Sequence, residues 1–115
     1  MYIYLYVDLN SVNLSHFLIT KDRFFVVESS YGFDDVPTVK YTEDDYYETI
    51  ERQCVETSDY LIAIFDSLML AKSFCDMKRK EYHERLDENN SSEEYGYTRY
   101  NIFVFNESKE CFEVL

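Results

Sequence analysis

Residues 2–9 alternate without a break, with Tyr2, Tyr4 and Tyr6 on one side and Ile3, Leu5, Val7 and Leu9 on the other. A period of two belongs to a strand with one face on a core. Tyr97–Phe105 repeats the pattern near the other end of the chain. The aliphatic side of the first strand should face the core. Its tyrosine side should be half-wet, or lie under a helix or a partner.

Between these strands the local signals change. Asn10–Ser15 reads as a connection, and Phe17–Thr20 and Arg23–Glu28 as two strands turning at Lys21-Asp22. Ser29–Tyr41 holds Gly32 and the only proline, Pro37, and reads as a loop with a short edge strand near Val39. Thr42 followed by Glu43, Asp44 and Asp45 predicts a helix start, with a capping hydroxyl and acids at the positive end of the dipole. Tyr46 or Tyr47, Ile50 and Cys54 then recur at helical spacing, so this helix should end near Glu56.

Tyr60–Phe65 is a continuous apolar run, expected as a central strand covered on both faces. Asp66 or Ser67 should cap a second helix, whose stripe is Leu70, Ala71, Phe74, Cys75, Lys78, Tyr82 and Leu86. A polar loop follows over 87–96, and a last strand over Cys111–Leu115. The expected fold is a single α+β domain over 1–115: two layers, a mainly antiparallel sheet and two helices on one face, in the order β-ββ-α-β-α-ββ. A ferredoxin-like split βαβ is a variant that the leading hairpin does not fit cleanly.

An 18% aromatic content gives the chain material for a core and argues against disorder despite its charge. Cys54, Cys75 and Cys111 are odd in number and lack a C-x-x-C spacing, which suits buried thiols in a reducing compartment better than disulfides or zinc. The first residues have no basic region, and no apolar run is long enough to cross a bilayer, so a cytoplasmic protein is expected.

Catalytic signatures are sparse. Two glycines are too few for a phosphate-binding or dinucleotide loop. His83 lies on a charged helix surface and His16 has only distant cysteines for company. Asp76-Met77-Lys78 matches the acid-x-lysine step of metal nucleases, with Asp66 upstream, but falls mid-helix, where residues two apart diverge. No catalytic residue, metal site or cofactor is expected. A small metal-dependent enzyme is the least favoured alternative.

Charge is the stronger signal. The chain carries 23 acids and 11 bases, a net charge of −12, which repels nucleic acid and anionic membrane and favours basic partners. The acids fall in two blocks. Residues 28–59 hold ten acids against two bases, and residues 81–96 hold six against one. On the expected first helix, Asp44, Glu48 and Glu51 would form a stripe in steps of roughly 5–6 Å, comparable to the phosphate spacing of a nucleic-acid strand. Tyr31, Tyr41, Tyr46 and Tyr47 are interleaved with the acids, a mixture suited to anchoring on a basic protein. The candidate partner-binding set is Tyr31, Asp34, Asp35, Glu43, Asp44, Asp45, Tyr46, Tyr47, Glu48 and Glu51. The same pattern also describes a solvated helix whose acids only favour its N-terminus.

The stretch Ile62–Ala71, followed by a charged helix and Tyr100–Phe105, resembles a strand–Ser–helix–strand pattern of small phage proteins, over about half the chain. In size, acidity, tyrosine content and lack of catalytic motifs the chain resembles phage counter-defence inhibitors, including anti-CRISPR and DNA-mimic anti-restriction proteins. The resemblance implies a non-enzymatic inhibitor that binds a basic groove of a host nuclease or defence complex. A toxin-neutralising immunity protein would use the same physics. A homodimer through the Tyr2/Tyr4/Tyr6 face is a further expectation.

Overall fold

The computed structural model describes residues 2–12, 23–41, 43, 45–93 and 95–115. Five strands and one long helix follow in the order β1 (Tyr2–Asp8), a 3-10 turn (Leu9–Ser11), β2 (Phe24–Tyr41), β3 (Tyr46–Phe65), α1 (Leu68–Glu88), β4 (Gly96–Asn106) and β5 (Cys111–Val114). They form one antiparallel sheet with the strand order β1-β3-β2-β4-β5.

The expectation of two helices is therefore wrong. The segment read as the first helix is the start of β3, and the segment read as a loop over 29–41 is most of β2. The physical reason is arithmetic. Tyr46, Ile50 and Cys54 are spaced by four, which places them on one face of a helix and equally on one face of a strand. Tyr41 to Tyr31 pair without interruption against Tyr46 to Glu56. This ladder gives the backbone groups of both segments their partners. The capping residue expected at Thr42, and the strand expected over Phe17–Thr20 with its turn at Lys21-Asp22, lie outside the described residues.

Two extra residues in β3 bend this ladder. Register shifts between Val26/Val27 and between Ser30/Tyr31 leave Ile62 and Thr57 without an opposite number on β2. The Thr57 hydroxyl donates to the Ser30 carbonyl at 3.1 Å, which holds the second bulge. Gly32 pairs with Gly96, where β4 begins. A β-carbon on Gly96 would stand 2.7 Å from the Tyr31 carbonyl oxygen, so only glycine lets the strands meet there.

Both faces of the sheet carry core. On one, α1 packs through Ala71 and Cys75 onto Val26, Ile62, Ala63, Phe65 and Tyr100. Its start is capped as expected: the Ser67 hydroxyl accepts from the Leu70 amide at 3.4 Å. Arg79 and the Cys75 thiol both donate to the Tyr100 carbonyl, which ties the helix to β4. On the other face, Phe25, Val27, Leu61 and Ile64 pack with Leu5, Val7, Leu9, Phe103, Phe105 and Phe112. Tyr60–Phe65, expected as a doubly covered strand, supplies residues to both clusters. Of the first-strand tyrosines, Tyr4 leans on Phe74 of the helix at 5.4 Å, and Tyr6 stacks on Tyr60 at 4.5 Å.

β2 and β3 outrun their neighbours. β1 follows β3 only from Phe65 to Tyr60, and β4 follows β2 only as far as Gly32. Among the described residues, no further strand pairs with Phe33–Tyr41 or Tyr46–Cys54, which project from the sheet as a two-stranded arm. A 20-residue strand at roughly 3.3 Å per residue accounts for the 64 Å long axis of the molecule.

Candidate functional site: the projecting arm

Register assigns each arm residue to a face, because residues directly opposite each other in an antiparallel pair share a side. One face carries Phe33, Asp35, Pro37, Val39 and Tyr41 opposite Cys54, Arg52, Ile50, Glu48 and Tyr46. The other carries Asp34, Val36 and Thr38 opposite Gln53, Glu51 and Thr49. The first face is the more apolar, yet it is open: Tyr41 is 81% exposed, Ile50 70%, Tyr46 62% and Val39 45%. The Tyr41 and Tyr46 rings sit 6.1 Å apart near the tip.

This face continues onto the body. At the root, Tyr31 stacks on Tyr97 of β4 at 4.9 Å, and Phe33 lies 6.1 Å from the same ring. Two guanidiniums cap the aromatics: Arg99 lies 4.2 Å from the Tyr97 centroid and Arg52 4.2 Å from that of Phe33. Such contacts hold long cationic side chains in place. The Cys54 thiol and the Tyr97 hydroxyl are 3.1 Å apart. Aromatic rings and arginines are enriched at protein interfaces relative to the rest of the surface.

The Thr57 bulge brings two carboxyl groups to the root on this side. Glu56 opposes Tyr31 and Asp59 opposes Ser29, so both point the same way as the stacked rings. The hydrogen bond to Asp59 pushes the Glu56 carboxyl up to about 7, helped by burial and by the Asp59 charge. The Ser29 hydroxyl donates to Asp59 from the opposite strand. Burial, then the charges of Glu56 and Asp59, raise the Tyr31 hydroxyl above its ordinary value.

The residues expected to bind a partner are gathered on the arm, but not as a helical stripe. Asp34, Asp35, Tyr46, Tyr47, Glu48 and Glu51 lie on its strands, Glu43 and Asp45 at its tip and Tyr31 at its root. Asp44 lies outside the described residues. Glu48 and Glu51 are three apart on a strand and point to opposite faces, so the row of carboxylates has no counterpart. The arm still concentrates charge, with seven acids against two bases over residues 33–54. Asp34, Asp35 and Glu48 form no ion pair among the described residues. The second acidic block differs. Glu81, Glu84 and Glu93 pair with Lys78, Lys80 and Arg99, and Arg99 holds the Glu93 carboxyl below its ordinary value.

Sequence reasoning missed Phe33, Pro37, Val39, Ile50, Arg52, Tyr97 and Arg99, which join the site only through cross-strand pairing. The one available signal was the β-branched and aromatic content of 46–57. The acid-x-lysine step also resolves. Asp76 pairs with Arg79 at 3.3 Å and Lys78 with Glu81 at 3.7 Å, so each serves its own neighbour along the helix. His83 is exposed beside Tyr82, and His16 lies outside the described residues. Among the described residues, no three His, Cys, Asp or Glu side chains are grouped to hold a metal ion, and no helix is long and apolar enough to cross a membrane. Comparison with protein-family models, curated proteins and solved structures gives no match.

Proposed function

We propose that the protein is a non-catalytic inhibitor that docks its β2–β3 arm on a basic, nucleic-acid-binding surface of a host defence protein. One observation carries the reading: the arm stands clear of the sheet with Tyr41, Tyr46, Val39 and Ile50 exposed among the carboxylates of Asp34, Asp35 and Glu48. An isolated two-stranded ribbon is marginal in water, and an exposed apolar strip rimmed by charge suits a partner better than solvent. The acids steer a cationic partner and raise its on-rate, while the rings and Ile50 supply buried contact area. Because the acids occupy both faces, they act as a field around the arm and not as a copy of a phosphate row. The resemblance in size, acidity and tyrosine content to phage counter-defence inhibitors supports the same reading.

The test is retention of basic proteins from host lysate by the immobilised chain, with Asp35→Lys, Glu48→Lys and Glu51→Lys combined as the comparison. Retention should fall steeply between about 50 and 500 mM salt, as screening shortens from roughly 14 to 4 Å, and should vanish in the triple variant. Equal retention by both proteins contradicts the proposal.

A further inference from the structure

The two long edges of the arm are not equivalent. The β2 edge contains Pro37, which lacks a backbone donor and so discourages a further strand. The β3 edge has no proline from Tyr46 to Asp59, and among the described residues no strand pairs with it there. Nine residues, Tyr46–Cys54, offer about 30 Å of open edge.

Its side chains match a second copy of itself. Two copies joined edge to edge by a two-fold axis perpendicular to the sheet run antiparallel and keep their faces aligned. Opposite residues then share a face, and the pairing is symmetric about one residue. Centring on Glu48 or Glu51 sets a carboxylate against its own copy, and centring on Arg52 does the same with a guanidinium. Centring on Thr49 sets Glu48 against Ile50. Centring on Ile50 sets Ile50 against Ile50, Glu48 against Arg52, Arg52 against Glu48, and Tyr46 against Cys54.

We infer that the chain forms a two-fold dimer by antiparallel pairing of its β3 edges, centred on Ile50, with Glu48 of each copy opposite Arg52 of the other. The residues are prepared for it. Glu48 and Arg52 lie on one face, two residues either side of Ile50, and neither makes an ion pair among the described residues. The Arg52 guanidinium is held over Phe33 at 4.2 Å, and Ile50 is exposed. Pairing turns two marginal ribbons into one four-stranded sheet, β2-β3-β3-β2, and covers the unguarded edge. This assembly goes beyond the docking reading and does not depend on it, since both faces of each arm stay open.

Sedimentation equilibrium at about 150 mM salt, where screening is roughly 8 Å, should give a dimer of the 13.9 kDa chain. Glu48→Arg alone and Arg52→Glu alone each place like charges opposite one another twice, and should weaken the dimer about tenfold or more. The double variant Glu48→Arg/Arg52→Glu restores complementarity at the wild-type net charge and should restore the dimer. In a Cys111→Ser background, Ile50→Cys should form an intermolecular disulfide on oxidation. The parent should not, because the register separates the two Cys54 residues by about 27 Å. A wild-type monomer throughout the concentration range overturns the inference, as does a dimer indifferent to the single swaps or a double swap that fails to rescue. Retention of basic proteins by the double swap, whose charge is unchanged, reports separately on the docking reading.

Discussion

Tyr31 and Tyr97 stack at 4.9 Å with their planes 19° apart, at the point where the arm leaves the sheet. They oppose each other on β2 and β4, one pair before Gly32 meets Gly96. Stacked pairs of this kind couple by about 0.5–1.5 kcal/mol beyond the area they bury. A double-mutant cycle with Tyr31→Ala and Tyr97→Ala, read by urea denaturation, should return a coupling in that range. A coupling of zero would mean that the stack does not brace the root.

The two glycines beside that stack should respond oppositely to alanine. Gly96→Ala forces a β-carbon towards the Tyr31 carbonyl oxygen and should cost about 1–3 kcal/mol, as overpacking does. Gly32→Ala meets only the Thr57 methyl, at an ordinary 3.5 Å, and has no positive φ to maintain. It should be neutral or stabilise by up to about 1 kcal/mol through the unfolded state. Denaturation midpoints of the two variants check the contrast directly.

The Glu56–Asp59 pair makes the arm root sensitive to pH. In the folded chain Glu56 holds its proton up to about 7, above its ordinary value of 4.5. The folded state therefore binds more protons than the unfolded state between these values, and stability falls as pH rises through that window. The contribution is complete below 4.5 and lost above 7. Glu56→Gln keeps a neutral donor for Asp59 at every pH. Its melting temperature should exceed the wild-type value at pH 8 and match it near pH 4.5. An identical difference at both pH values would show that Glu56 does not titrate as the geometry implies.

The helix cap gives a simpler measurement. Ser67→Ala removes the hydroxyl that accepts from the Leu70 amide and should cost about 1 kcal/mol. Ser67→Asp should retain most of it. Thermal melts of both variants separate loss of the cap from loss of the side chain in general.

The parts of the fold that bury a face were readable in the chain. Leu5, Val7 and Leu9, the run Tyr60–Phe65, and Ala71, Phe74, Cys75 and Tyr82 meet a core as their periods indicate, because burial on one side leaves a pattern. The arm leaves none. With both faces in solvent, Tyr46 to Thr57 shows no polar–apolar alternation, and a spacing of four fits either period. Gly32 and Pro37 read as loop signals, yet Gly32 sits inside the ladder opposite Val55 and Gly96, and Pro37 lies where, among the described residues, no strand flanks β2. Most of the acids of the site were visible, but their arrangement was not, because cross-strand register decides which face each residue takes.

The arm itself is the most direct subject for a test. Among the described residues it contributes none of those buried in the core, so replacing Asp34–Gln53 with an Asn-Gly turn should shorten the ribbon and leave the body folded. Retention of basic proteins from lysate should then be compared between the full chain and this shortened chain, with and without added DNA. The full chain should retain basic nucleic-acid-binding proteins, DNA should compete them off, and the shortened chain should retain none. Equal retention by the folded, armless chain would contradict docking through the arm.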